Sequence, residues 1–343
     1  MKRLSCLLVV AAACGGSPKP TPTTTPLPDD NKAAAPVATA PTPAPAPTAP
    51  PAPPQPLDVK VPGLSTTVKL VSGGKGKKEA LRYAPKEGAK QTLELAMDFT
   101  GAQDAEEQTV PTMVLTASAE AKSVAKDGAV EYALTVTGAD ARELSTKPDA
   151  PKVDIGKFKA AMAVLPGLTI GGTLGANGAA GDLTMHMDNP PPHADQVLDL
   201  VRVTLPRVPV LPAEAVGVGA KWQATTTTKV ADRLDVTQVT DYEVTAHKGA
   251  AWTIKGTTKI TGKDQQVETS KVSDISGSGT TEATFENGSL FPTFKSSVET
   301  QFKATLDKDK TVTYKVRIGG GMGPSGAAAA PAASPAPPAP PKK

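Results

Sequence analysis

A two-residue alternation of apolar and polar side chains runs through most of residues 57–318. That period is typical of β-strands with one buried face. It is clearest in residues 91–99 and recurs in residues 112–117. In the first of these runs the apolar face consists of Leu93, Leu95, Met97 and Phe99. The pattern predicts a mainly β domain whose strands each bury one side.

Short turn dipeptides separate the predicted strands. Asp127-Gly128, Asn177-Gly178 and Asn287-Gly288 predict hairpins, because a two-residue turn needs positive φ at both central positions. The threonine-rich runs 225–229 and 257–261 favour exposed strand faces, since β-branched side chains pack well on a pleated surface. We therefore expect antiparallel strands joined by tight turns.

Two segments have a helical period instead. Residues 154–165 and 193–205 carry apolar side chains three or four positions apart, as one face of a helix requires. Pro166-Gly167 stops the first segment, and a run of three prolines precedes the second. We expect these short helices to cover one face of the sheet.

The chain also shows a weak internal duplication. Gly88-Ala89-Lys90 precedes a predicted strand in the same way as Gly219-Ala220-Lys221, and turn dipeptides recur in the same order after each. The alternative is that antiparallel sheets produce such turns in any case. With the duplication, the fold is a curved or barrel-like antiparallel sheet made of two similar meander halves.

The N-terminal residues have a different pattern. Lys2 and Arg3 precede an apolar run over residues 4–13, which is typical of a secretory signal peptide and too short for a membrane-spanning helix of about 20 residues. Residues 11–14 resemble the lipobox of bacterial lipoproteins, with Ala11 where that family usually has a large aliphatic residue. The resemblance implies removal of residues 1–13 and lipidation of Cys14 with acyl chains such as palmitate. The alternative is an ordinary secretory signal with an incidental cysteine.

Composition divides the rest of the chain. Residues 14–56 are mostly Pro, Ala and Thr, which favour a disordered, extended linker that reaches on the order of 100 Å. All aromatic residues lie between Tyr83 and Tyr314. We therefore predict a β-rich domain over residues 57–318 and a disordered Gly/Ala/Pro tail over residues 319–343.

Cysteine content and charge limit the function classes. Cys6 lies in the predicted signal peptide, so Cys14 is the single cysteine of the predicted mature chain and has no disulfide partner within it. The domain must therefore be held together by its core. The formal net charge of +3 gives no reason to expect a nucleic-acid partner.

We looked for residue patterns that carry chemistry and predict no catalytic, metal or cofactor site. Met185-His186-Met187 offers copper(I) ligands, but in a strand the two methionines lie on one face and His186 on the other, which favours core methionines. Residues 72–78 are rich in Gly and Lys without the phosphate-loop spacing, which favours a solvated loop. Trp222 and Trp252 offer sugar-stacking surfaces, although core packing explains them better.

Residues 211–222, from Leu211 to Trp222, contain a Pro, a Val-x-Val-Gly segment and then a Trp. This motif resembles one found in uncharacterised envelope lipoproteins common in myxobacteria, a domain of unknown function with a lipobox, a low-complexity linker and a β-rich domain. The resemblance covers most of residues 60–318. It implies a mainly β fold and a cell-envelope location, and no activity.

These observations predict a lipid-anchored cell-envelope protein of unknown function that binds a ligand or partner without catalysis. Gly15, in place of Asp, after Cys14 indicates the outer membrane, provided that the enteric sorting rule applies. One alternative is a carrier of a lipid or another hydrophobic ligand, held in a curved sheet with a helical lid, which predicts an apolar cavity inside the sheet. A second alternative is a structural protein with an envelope protein partner, and a third is an unrecognised hydrolase.

Overall fold

The computed structural model describes residues 55–104, 106–144, 153–192, 194–230, 233–306 and 310–324. The predictions for Cys14, the signal peptide and the linker up to residue 54 therefore lie outside the described residues. Neither helix in the described ranges combines the length and the apolar character that a membrane span needs.

Strands make up most of the described chain, which confirms the mainly β prediction. The first eight are β1 (Leu57–Val61), β2 (Ser65–Ser72), β3 (Lys75–Glu79), β4 (Lys90–Gln103), β5 (Glu106–Val124), β6 (Val130–Arg142), β7 (Thr169–Leu174) and β8 (Ala180–Met187). The others are β9 (Val216–Val218), β10 (Lys221–Val230), β11 (Leu234–Lys248), β12 (Ala251–Thr261), β13 (Gln265–Val267), β14 (Ser270–Glu286), β15 (Thr293–Thr305) and β16 (Thr311–Pro324). The two helices are α1 (Ile155–Met162) and α2 (Ala194–Thr204).

One large antiparallel sheet contains all of these strands except the β3–β9 pair. Its order is β1-β8-β7-β6-β5-β4-β16-β15-β14-β12-β11-β10-β2, and β13 pairs with β14 outside this path. The two edge strands, β1 and β2, are joined by residues 62–64 alone, which span at most about 14 Å. The sheet therefore curves until its edges approach at this end. It is not closed into a barrel, since no described hydrogen-bonded ladder joins β1 to β2.

The two halves of the sheet share a local hydrogen-bond pattern. Before β4, Gly88 donates to the carbonyl of Ala121 at 2.8 Å, and Ala121 donates back to the carbonyl that follows Gly88 at 2.9 Å. Before β10, Gly219 and Val244 make the same two bonds at 2.8 and 3.0 Å. Gly88 and Gly219 have φ values of 75° and 78°, which glycine adopts at little cost. These shared bonds agree with the predicted duplication into two meanders.

The predicted hairpins at Asp127, Asn177 and Asn287 are present, but the predicted two-residue turn with positive φ at both positions is wrong for all three, because in each pair the glycine alone has a positive φ. Of the Asp127-Gly128 pair, Gly128 alone has a positive φ, at 82°. Ala125 closes the loop by donating to Ala129 at 2.8 Å, and Gly128 donates to Ala125 at 2.9 Å. This longer loop needs one left-handed residue rather than two.

Both predicted helices are confirmed, and α1 shows why it begins where it does. An Oδ1 atom of Asp154 accepts from the amides of Gly156 at 2.8 Å and Lys157 at 3.1 Å. These are amides that the first helical turn leaves without a helical partner. Phe158 and Met162 then bury one face of the helix.

Replacing Asp154 by alanine is expected to reduce the free energy of unfolding by about 1 kcal/mol, the usual cost of losing an N-cap. Urea unfolding monitored by circular dichroism measures the change. The control Asp154→Asn keeps an acceptor oxygen and is expected to retain most of the stability. Equal losses in the two variants would contradict the capping role.

The predicted boundary between domain and tail at Gly319 is wrong, because β16 continues to Pro324. Gly319, Gly320 and Gly321 pair with β4 in register. A Cβ atom at Gly320 would lie 2.6 Å from the carbonyl oxygen of Ala96. Glycine is therefore required there for close strand approach, and does not mark the end of the fold.

Buried apolar side chains form two separate clusters. The large cluster includes Leu95, Leu134 and Trp222 and involves both helices. A smaller cluster, which includes Val236 and Ile260, packs between strands β11, β12, β14 and β15. Residues from both clusters line the same cavity, so the core is filled at two places with a space between them.

Candidate functional site

A proline-rich segment after α2 crosses the concave side of the sheet. We call residues 205–212 the strap. Its prolines, Pro206, Pro209 and Pro212, recur every third residue. Proline fixes φ and removes an amide donor, so the strap is neither helix nor strand and depends on other residues for its hydrogen bonds.

Buried donors hold the strap in place through its carbonyl groups. The Tyr83 hydroxyl donates to Pro209 at 2.9 Å, and Trp222 Nε1 donates to Val210 at 2.8 Å. The amide of Leu211 in turn donates to the carbonyl of Asn177 at 2.7 Å. Because these partners come from separate parts of the chain, the strap is fixed by tertiary structure.

An aromatic cluster under the strap supplies these donors. Trp222 stacks on Tyr242, with ring centroids 5.4 Å apart and an interplanar angle of 21°. Burial raises the pKa of Tyr242 to about 12, whereas hydrogen bonds with Thr240 and the Val210 backbone act to lower the pKa. Burial, and secondarily the nearby Tyr242, also raises the pKa of Tyr83. Both phenols are therefore neutral at physiological pH, and Tyr83 acts as a donor to the strap.

A cavity of about 660 Å³ lies between the curved sheet, α2 and the strap. Helix α2 contributes Leu200 and Val203 to its lining, and the strap contributes Leu205, Val208 and Val210. Strands from both halves of the sheet complete the wall with Leu95, Leu134, Leu183, Val236, Ile260 and Val298. The volume falls within the roughly 300–1,000 Å³ typical of ligand pockets.

Threonines form part of the wall, and four of them join their hydroxyl groups in two pairs. Thr66 and Thr226 lie 2.8 Å apart between their Oγ1 atoms, and Thr240 and Thr258 lie 2.9 Å apart. Such pairs satisfy the hydroxyls across neighbouring strands. The prediction that the runs 225–229 and 257–261 are exposed is therefore wrong for one face of each strand. The exposed face includes Thr257, whereas Thr258 is buried.

Charged side chains in the cavity lining are mostly paired with carboxylates. Arg202 pairs with Asp199 at 3.2 Å. Lys229 pairs with Asp235 at 2.7 Å, and Arg233 with Glu268 at 2.8 Å. The remaining cationic side chain of the lining is Arg207, in the strap. Among the residues that the structure describes, no carboxylate forms an ion pair with it.

Arg207 lines the cavity. Its side chain keeps exposed surface, yet desolvation by the surrounding protein lowers the pKa of the guanidinium. The guanidinium is therefore partly enclosed by protein, while the residue keeps accessible surface. Tyr132, which lines the same region, is close enough for its phenol to interact electrostatically with Arg207.

The residues considered for chemistry from the sequence lie elsewhere. Met185 and Met187 are buried, with 0% and 5% exposure, and His186 lies on the opposite face, which confirms the predicted alternation. Trp222 and Trp252 are buried, as predicted, and Trp252 stacks on His247. His193 lies outside the described residues, like Cys14.

The Gly- and Lys-rich segment 72–78 was predicted to be a loop, and this is wrong in part. Strand β3 begins at Lys75 and pairs with β9. In the described ranges, no group of three or more His, Cys, Asp or Glu side chains is arranged to hold a metal ion.

His186 connects the edge strand β1 to β8. Its Nδ1 atom lies 2.8 Å from Asp58 and its Nε2 atom 3.0 Å from Asp188. Hydrogen bonds to Asp58 and then Asp188 raise the pKa of His186 above its ordinary value of 6.5. The raised pKa means that this link stabilises the fold fully below pH 6.5 and is lost as the pH rises through the raised value.

We expect an NMR titration of His186 to give a midpoint above 6.5. The variant Asp58→Asn removes the largest cause and is expected to lower that midpoint. A midpoint that is unchanged in the variant would show that Asp58 does not pair with the imidazole in solution.

Comparison with protein-family models gives no match to this chain, and comparison with curated proteins gives none either.

Proposed function

We propose that this domain binds a lipid-like, mainly apolar molecule in the cavity and acts as a carrier or binding protein, without catalysis. The observation that carries the proposal is the cavity of about 660 Å³ between the sheet, α2 and the strap. Aliphatic side chains and paired threonines form much of its wall, which favours an apolar chain over a polar solute.

The position of the cavity in the fold also supports this proposal. A well-packed core has few voids larger than a water molecule, and here the space lies between two apolar clusters that do not meet. The strap covers this space and is fixed from below by Tyr83 and Trp222. A strap fixed in this way over an apolar space supports a ligand-binding function more than a purely structural one.

The N-terminal sequence supports a working place beside a membrane. We propose that Cys14 is lipidated, that residues 14–56 hold the domain away from the bilayer, and that the protein is anchored to the outer membrane of the cell envelope. Lipids are then the apolar molecules present at the highest local concentration. The resemblance to envelope lipoproteins at residues 211–222 supports the same location.

Titration with N-phenyl-1-naphthylamine, a neutral dye that fluoresces in apolar surroundings, tests the proposal. The full chain with Cys14→Ser lacks the predicted lipidation site and is purified without detergent, because detergent would compete with the dye for the cavity. We expect saturable binding of about one dye per chain, lost when the protein is unfolded in guanidinium. Absence of saturable binding to the folded chain would overturn the proposal.

A further inference from the structure

We infer that the ligand of this cavity is an anionic amphiphile, whose carboxylate or phosphate head group is bound inside the cavity by Arg207 and Tyr132. This inference rests on the proposed function and adds the chemical class of the ligand. It predicts a molecule with one apolar chain region and one anionic end, held with the anion under the strap.

The first reason for an anionic ligand is that the other cationic side chains of the cavity lining already have carboxylate partners. Arg202, Lys229 and Arg233 each have a carboxylate within 3.2 Å. Arg207 has no such partner among the described residues, although it lines the same space. It is therefore the cation of the lining that remains available to an incoming anion.

The surroundings of Arg207 are the second reason. A guanidinium keeps its charge in proteins, and a charge removed from water is costly unless it is paired. Protein already desolvates part of this group, as the lowered pKa shows, and its remaining surface is accessible to an incoming molecule. An anion from the ligand supplies the missing partner. The planar fork of arginine fits the two oxygens of a carboxylate or phosphate.

Tyr132 offers a second donor at the same place. Its ring packs edge-on against Phe291, with centroids 5.2 Å apart, and its hydroxyl lies over Gly172, where a Cβ atom would come within 3.0 Å. Burial raises the pKa of Tyr132, and the charge of Arg207 opposes this shift. The phenol therefore stays protonated and can donate to an anion beside the guanidinium.

The apolar end of the ligand has its own place. Leu134 lies on the same strand as Tyr132, two residues along it and therefore on the same face. Val236, Ile260 and Val298 lie in the part of the lining that belongs to the smaller apolar cluster. A chain attached to the head group at Arg207 can therefore contact aliphatic side chains beyond it.

Competition against the bound dye tests this inference, again with the full chain carrying Cys14→Ser. The probes are dodecanoate, dodecyl phosphate and 1-dodecanol, which share a chain and differ in the head group, and inorganic phosphate, which has no chain. We expect the two anionic amphiphiles to displace the dye at about ten- to hundred-fold lower concentration than the alcohol. Inorganic phosphate is expected to have no effect on dye binding.

Two variants assign the preference to the proposed residues. Arg207→Gln is expected to remove the preference for the anionic amphiphiles, measured as the ratio of the concentrations at which the alcohol and the anionic amphiphiles displace the dye. Tyr132→Phe removes the hydroxyl alone and is expected to reduce the preference in part. The matched control is Arg233→Gln, which removes an ion-paired cation of the same lining and is expected to keep the preference.

The outcomes separate the inference from the proposed function. If the dye binds and the alcohol competes as well as the anionic amphiphiles, the cavity binds apolar molecules and the anionic class is wrong. If Arg207→Gln and Arg233→Gln behave alike, Arg207 is not the head-group residue. Displacement of the dye by inorganic phosphate would indicate a site for small anions and would overturn the inference that the ligand is an amphiphile. Failure of the dye to bind at all overturns the proposed function itself.

Discussion

Replacement of Trp222 by alanine is expected to lower the free energy of unfolding by about 3–5 kcal/mol, the usual range for a buried aromatic side chain. Trp222 is 1% exposed, stacks on Tyr242 and donates to Val210 in the strap. The substitution removes apolar contacts and also leaves a strap carbonyl without its donor. We therefore expect weaker dye binding in addition to lower stability.

Trp252→Ala is the matched control for this effect. Trp252 is equally buried, but it stacks on His247 and no described hydrogen bond joins it to the strap. Denaturant unfolding is expected to show a large loss for both variants. Dye titration, at a temperature where both are folded, is expected to show weaker binding only for Trp222→Ala. Equal dye affinities in the two variants would contradict the role of Trp222 in fixing the strap.

Replacement of Val298 by tryptophan is expected to raise the dissociation constant for the dye at least about tenfold, because the larger ring occupies the space that the ligand needs. Val298 lines the cavity and packs beside the smaller apolar cluster. Since the cavity has room for the ring, we expect a stability loss of no more than about 1–3 kcal/mol. Dye titration and thermal unfolding measure the two effects separately.

Val239→Trp is the control for this substitution. Val239 is half-buried and lies between Gln238 and Thr240, which both line the cavity, on a strand that alternates its faces. The same change of size therefore occurs outside the cavity. We expect unchanged dye affinity for this variant. A similar loss of binding in both would mean that the dye responds to general disturbance of the sheet and not to the cavity.

Local structure in this domain is predictable from the sequence, whereas the cavity is not. Alternation identifies strands such as β4 because Leu93, Leu95 and Met97 are all buried on one face. Helical spacing likewise identifies α1 and α2. These signals are local, since strand and helix periods depend on neighbours within a few residues.

The cavity depends on contacts far apart in the chain. A threonine such as Thr258 has the same sequence pattern whether its face meets solvent or the inside of a curved sheet. Arg207 lies in a proline-rich run that has neither the strand period nor the helix period, so no pattern indicates the direction of its side chain. Tyr83 and Trp222 bind the strap across 126 and 12 residues respectively, and sequence alone does not show these pairings.

At the C-terminal strand β16, the glycine-rich composition wrongly predicts disorder where the chain is a paired strand. Gly319 begins a composition that is typical of a flexible tail, yet Gly319 and Gly320 pair with β4. The reason is steric, because the carbonyl of Ala96 leaves no room for a Cβ atom at Gly320. Composition reports the average behaviour of a segment, whereas close strand approach is a property of single positions.

Native mass spectrometry of the full chain with Cys14→Ser, purified without detergent from bacteria, tests the central claim most directly. We predict that the folded chain carries a single non-covalent adduct, released by organic solvent and identified as an amphiphile, and that Val298→Trp lacks this adduct while Val239→Trp retains it. If all three forms are folded and each shows only the mass of its own polypeptide, before and after extraction and after incubation with dodecanoate, the claim that the cavity binds lipid-like molecules is contradicted.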